Sequence, residues 1–412
     1  MITENPHVAS GVGSHPDVAS GVRSHSDVAS GFSRTSSIVT DHVASSVAAA
    51  AGFFDANSRI VSQCCQRMAA HFARGGTLLV MAEGAQASDA QHVAVEFVHP
   101  VIVGKRALPA VSVTADADVC PADILLALCA NVVAPQIASA LDAARTQGAL
   151  TVLVRGSGGS RPPLAEFDFM VPEDDALVIQ EVSETLYHVL WELVHVFIDA
   201  ADVPKVAFLP ATPRAADELI AEVQASTQAK AREICALRSR VGATEARRLQ
   251  EAGRAIAARL ERNGKLLACG NGGSATDAQD LAADCRQPAR PGWRRLPAMA
   301  LTSDIGIITA IGNDVGFEHV FLRQIIAFGH ADDIAVAFST SGASRNLVAA
   351  MAEARTRGLL TIAMSGGDGG ELARPGVVDY CFTVESEQLP RIQEVHATMW
   401  HALLSVVQEE RR

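Results

Sequence analysis

The chain has 412 residues, 49% of them hydrophobic and 19% charged, and a net charge of −12. That length accommodates two domains with a sizeable core, and the acidic balance argues against a nucleic-acid-binding surface. Eight cysteines without C-x-x-C spacing suit reduced thiols, no apolar run reaches ~18 residues, and no basic stretch precedes an apolar core, so the sequence reads as cytoplasmic, without a membrane partner or a signal peptide.

Residues 1–36 carry a short repeat in which Val-Ala-Ser-Gly recurs every ten residues (Val8, Val18, Val28). The units are too small and polar to bury a core, and the segment reads as a disordered tail. Residues 37–75 read as two helices, with Ile38, Val43, Val47, Phe53 and Phe54 on the first apolar face and Ile60, Cys64, Met68 and Phe72 on the second. Gly75-Gly76 ends the second helix, and Thr77 to Met81 is a buried strand.

The same unit then recurs. Residues 83–97 align with 271–285, and Leu108 to Asp116 with 296–304, both at an offset of 188 (Asp89 against Asp277). The second copy gains a segment around Gly312 to His330, after which Ile124 pairs with Ile334 and Ile179-Gln180-Glu181-Val182 with Ile392-Gln393-Glu394-Val395. Each copy reads as helices, strands alternating with helices, and a closing helix. The expected fold is α/β, with two tandem domains, each a doubly wound parallel sheet flanked by helices. The boundaries are 37–200 and 216–412, joined by a Pro- and Ala-rich linker at 201–215.

In the second copy, the strand ending at Ala268 runs into Cys269-Gly270-Asn271-Gly272-Gly273-Ser274, and a helix follows over Ala275 to Cys285. A strand, a glycine turn and a helix N-terminus make an anion cradle. A second strand, Ile334 to Phe338, leads into Ser339-Thr340-Ser341-Gly342-Ala343-Ser344 before a helix near Arg345. Two such turns at the carboxyl ends of parallel strands suit one phosphate between them; the alternative is ordinary N-capping by Ser and Thr. The last strand is expected over Tyr380 to Val384, and the closing helix from Leu389 carries Val395, Met399, Leu403, Val406 and Val407 inward.

These stretches, with Leu301-Thr302-Ser303-Asp304, Ala310 to Phe317 and Arg391 to His396, resemble the sedoheptulose-7-phosphate isomerase (phosphoheptose isomerase) family of sugar isomerase (SIS) domains, from about residue 216 to the C-terminus. The resemblance implies an aldose–ketose isomerase that moves a proton between C1 and C2 of an open-chain phosphorylated sugar through an enediol, with Zn²⁺ to polarise the carbonyl. It implies substrate contacts from Asn271, Gly272, Gly273, Ser274, Ser303, Asp304, Ser339, Thr340, Ser341, Ser344 and Gln393.

The family places a His and a Glu four apart on the helix after the glycine turn, and a Gln and a His eight apart on the closing helix. The first copy holds that set as His92, Glu96, Gln180 and His188, the implied metal ligands, with Glu96 and His188 as the implied catalytic pair. In the second copy Gln393 and His401 remain, but Asp280 and Asp284 stand at the His and Glu positions; they are either oxygen ligands or a solvated helix face. The first copy has lost its cradle: its turn is Glu83-Gly84-Ala85-Gln86, and Cys129 to Ala134 has no hydroxyl. Each copy keeps what the other has lost, which suggests a composite site. Eight helical residues span about 12 Å, so ligands drawn from both closing helices would reach one ion more easily than Gln180 and His188 together. Asp116 reads as a turn residue and His396 as interfacial. Related domains assemble as tetramers, so the expected assembly is a dimer of two-domain chains. The competing reading is a non-catalytic SIS protein that binds a sugar phosphate or a protein partner.

Overall fold

The computed structural model describes residues 25–101, 104–158, 163–201 and 216–412; the tail through residue 24 and nearly all of the expected linker lie outside the described residues. The first half contains α1 (His25–Ala73), β1 (Leu78–Ala82), α2 (Ala87–Val98), β2 (Ala110–Ser112), β3 (Ile124–Leu128), α3 (Pro135–Gln147), β4 (Leu150–Gly156), β5 (Phe167–Val171) and α4 (Ala176–Ala201). Its sheet has the order β2-β1-β3-β4-β5, with every pairing parallel. The second half contains α5 (Ala216–Thr244), α6 (Ala246–Glu261), β6 (Leu266–Cys269), α7 (Gly273–Arg286), β7 (Ala298–Ala300), α8 (Ile305–Asp314), α9 (Val320–Phe328), β8 (Ile334–Ser339), α10 (Arg345–Thr356), β9 (Leu360–Gly366), β10 (Tyr380–Val384) and α11 (Leu389–Glu410). Read from β7, its sheet repeats the first in order and direction.

The strands are short apolar runs because parallel strands are covered on both faces; Ile124 to Leu128 and Ile334 to Ser339 are buried throughout. Val395, Met399, Leu403, Val406 and Val407 of α11 all face the core, as their spacing predicts. The added segment of the second half forms α8 and α9.

Three expectations change. Residues 37–75 form part of one continuous helix, not two, and that helix already runs through residues 25–36, assigned to the tail from sequence. Gly52, a glycine within the first apolar face, costs only about 1 kcal/mol in a helix, and neither glycine nor proline separates Phe54 from Ile60. The helix packs chiefly against α4 and α5, burying Val43, Phe53, Phe54, Cys64, Met68 and Phe72, whereas Ile60, expected on the second inward face, is exposed. His396, expected at an interface, packs beside Phe338 of its own half.

Equivalent elements of the two halves meet: α2 packs on α7, and α4 on α11. The helices expected to carry chemistry therefore face each other across an approximate two-fold relation.

Candidate active site

The turn after β6 is shaped by close approach. Gly272 has φ 57° and ψ −128°, a conformation that disfavours any side chain. A Cβ on Gly273 would lie 2.2 Å from Gln393 Nε2 and 2.7 Å from His92 Nε2. The first turn of α7, from the second half, thus abuts His92 of the first half. The Ser/Thr loop is tied to this turn by a reciprocal amide pair: Asn271 Nδ2 donates to Asn346 Oδ1 (3.0 Å) and Asn346 Nδ2 to Asn271 Oδ1 (2.8 Å). Ser339 Oγ accepts from Gly342 N and Ser341 Oγ from Ala343 N. Ser344 is the N-cap of α10, yet its hydroxyl makes no capping bond, so capping alone does not explain this loop. Asp304 does cap, accepting from Ile307 N at the start of α8. Ser303 and Asp304 are exposed there, and Thr302 Oγ1 pins their turn to α7 through Ala275 O.

His92, Glu96 and His188 converge beside this cradle, all buried, with one ligand atom from each within 4.8 Å of the others. His92 Nε2 lies 3.8 Å from Glu96 Oε1 and 3.2 Å from the Gln393 amide, and the His92 and His188 rings meet edge to face at 5.1 Å. Glu96 Oε2 and His188 Nε2 are buried with no hydrogen-bond partner. Unpartnered buried polar atoms are costly, and two imidazoles with a carboxylate are a donor set that suits Zn²⁺. Gln393 completes it once its amide is turned to present oxygen, since amide O and N are interchangeable assignments.

Gln180 is not in this set. Its Nε2 donates to Asp89 Oδ2 (2.9 Å), and its side chain faces a separate cavity shared with Asp284. About 12 Å of helix separates it from His188, and the opposed closing helix delivers Gln393 instead. The second half mirrors this. His401 Nε2 lies 3.4 Å from Asp284 Oδ2, the Trp400 indole donates to the same oxygen, and Asp280 accepts from the Ser88 hydroxyl. Asp284 is therefore interior, and Asp280, half-buried, is turned to Ser88 of the first half, so the two are not a solvated face.

Two residues not singled out from sequence orient both histidines. Glu394 Oε1 accepts from His188 Nδ1 (3.0 Å) while Thr185 donates to its other oxygen. Glu181 Oε1 accepts from His401 Nδ1 (2.7 Å) while Thr398 donates to Oε2. Each histidine is thus held by the glutamate of the opposite closing helix, an arrangement that fixes tautomer and ring position. The signal was present in the paired Gln-Glu of both copies. His42 of α1, also unforeseen, adds a 2.7 Å contact to Glu181.

Burial sets the protonation states. Burial raises Glu96 to about 7, and burial with the neighbouring His188 holds His92 well below its ordinary value. Burial also lowers His188, against the pull of Glu394. His401 rises to about 10, because Asp284 and Glu181 outweigh its burial. Burial and mutual repulsion push Asp277, Asp280 and Glu184 well up and Asp89 to about 7.

The SIS domain family model matches residues 231–366. The phosphoheptose isomerase of Rhodospirillum rubrum is 43% identical over 161 residues, 39% of this chain and 85% of that protein. That of Roseiflexus sp. is 42% identical over 190 residues, 46% of this chain and 91% of that protein. This chain belongs to the phosphoheptose isomerase family of SIS-domain proteins. The two-domain fold also matches the C-terminal domain of glucosamine-fructose-6-phosphate aminotransferase from Francisella tularensis, with a TM-score of 0.59 over 90% of this chain and 95% of that one; at 10% identity this likeness is one of fold. Phosphoheptose isomerase family members are matched over less than half of this chain, whereas the tandem SIS fold spans nearly all of it.

Proposed function

We propose that the chain is an aldose–ketose isomerase acting on a phosphorylated sugar, sedoheptulose 7-phosphate, at one composite site. The carrying observation is the contact of Gly273 with His92 and Gln393, which sets the cradle of one half against the acid/base cluster of the other. The substrate phosphate would sit between the Asn271–Ser274 turn and the Ser339–Ser344 loop, held by backbone N–H groups, hydroxyls and the N-terminal dipole of α7. C1 and C2 would then lie toward Glu96.

Glu96, buried and poised near neutrality, takes the C1 proton of the ketose as base and returns it to C2 of the enediol. His188, its Nδ1 held by Glu394, has only Nε2 free, so it serves either as a metal ligand or, where no metal is bound, as the acid that exchanges a proton with O1 and O2. Zn²⁺ held by His92, Glu96, His188 and Gln393 would supply Lewis acidity at the carbonyl oxygen. Gln393 replaces Gln180 in the expected ligand set. The charge balance and the interior site suit a cytoplasmic small-molecule enzyme.

The assembly proposed is a dimer of two-domain chains. Helix α8 is apolar yet has no buried residue, and Ile305 and Phe317 are exposed by 72% and 57%. Such surface is what a second copy would cover.

The deciding measurement is turnover of sedoheptulose 7-phosphate with added zinc. Wild type should turn over, Glu96→Gln should lose ~10²–10⁴-fold in kcat, and Asp284→Asn should keep most activity. No turnover by wild type, with saturable sugar-phosphate binding, would instead support a binding protein. Loss on Asp284→Asn alone would move the chemistry to the second half.

A further inference from the structure

The counterpart of the composite site, on the other side of the two-fold relation, is not filled in. It is a cavity of ≈ 400 Å³ lined by the lost cradle, Glu83 to Gln86, by Asn131, and by Gln180 and Asp284. That volume lies within the roughly 300–1,000 Å³ of small-molecule sites. Three of its polar atoms are buried without a partner: Asp284 Oδ1, Gln86 Nε2 and Asn131 Oδ1. Asp284 and Gln86 are 1% and 4% exposed. Asp284 and Asn131 are held in place by other bonds. Asp284 Oδ2 is taken by Trp400 and His401, and Asn131 Nδ2 donates to Asp174 O. A donor and two acceptors without partners, on side chains that line one cavity, would be satisfied by a ligand that both donates and accepts.

The cavity excludes phosphate. No lysine or arginine lines it. Glu83 stands where the other half has Asn271, and the loop through Cys129 to Ala134 offers no hydroxyl. Hydroxyl groups meet the remaining demands, since each O–H serves Asp284 or Asn131 while its oxygen serves Gln86. From these contacts we infer that this cavity is a second ligand site, selective for a small unphosphorylated polyol such as a free sugar or alditol. The site does not depend on the isomerase reading. It is connected to the first site all the same: Gln180 donates to Asp89, whose other oxygen accepts from the Tyr187 hydroxyl, which lies 3.2 Å from His92 Nδ1.

The test is calorimetric titration of the full chain with a panel of free hexoses, heptoses and their alditols, repeated with sedoheptulose 7-phosphate present in excess. At least one panel member should bind saturably, one per chain, with an affinity the sugar phosphate leaves unchanged. Gln86→Leu should weaken that binding about tenfold or more. Val132→Trp, at an exposed position on the rim, should block it without altering the fold. The inference is overturned if no panel member binds, if the sugar phosphate competes, or if Val132→Trp binds as wild type does. Turnover is not read, so a failed isomerase reading would leave this result intact.

Discussion

Asp89 shows how one buried carboxyl couples stability to pH. It accepts from Gln180 and Tyr187, and burial, with Asp284 nearby, raises it to about 7. An unfolded aspartate titrates near about 3.9. Between those values the folded chain keeps a proton that the unfolded chain has lost, so this contribution is full below about 3.9 and is lost as pH rises through about 7. Asp89→Asn should flatten the fall in melting temperature across that window, measured by thermal unfolding at stepped pH; an unchanged slope would show that Asp89 is not the proton holder. Glu394 is a positioning residue of a different kind. Glu394→Gln should lower kcat and zinc affinity about 10–100-fold while KM moves little, read by kinetics and metal titration. A change in KM alone would contradict its hold on His188.

At the element scale, α7 begins where two halves touch. Gly273→Ala would drive a Cβ into His92 and Gln393. We expect kcat/KM to fall by ~10²-fold or more, since an ångström of misplacement has that effect, with the circular dichroism spectrum kept. Much of this element was legible from sequence, because an apolar strand, a glycine turn and a glycine-free helix announce themselves locally. The duplication extended the same α/β reading to both halves, while the strand order emerges only in the structure. What sequence did not carry was which closing helix faces which glycine-turn helix. Gln180 and Gln393 have the same spacing to their histidines and the same flanking Glu, so no local rule separates them; only the packing of α4 on α11 does. The continuity of α1 was hidden for another reason. A change of apolar face along a helix looks like a break until the curved surface it covers is known.

At the scale of the whole molecule, the apolar surface made by α8 and by Phe317 just beyond it should mediate pairing of chains. Ile305→Asp with Phe317→Asp should shift the mass in solution from two chains to one, by light scattering. An unaltered mass, or a monomeric wild type, would reject α8 as the contact. The sequence marked Gly312 to His330, which takes in Phe317 but not Ile305, as extra to the second copy, and the exposure of these side chains follows only from the fold.

The opposition of α2 and α7 across the two halves has a further consequence. In a site shared by separate subunits, assembly competes with dilution; here one chain carries both halves, so their encounter is intramolecular. Activity per chain should therefore hold steady down to trace protein levels. Tethering also bears on the proposed composite site: every chain brings one cradle and one acid/base set together, so each copy can do without what its covalent neighbour supplies.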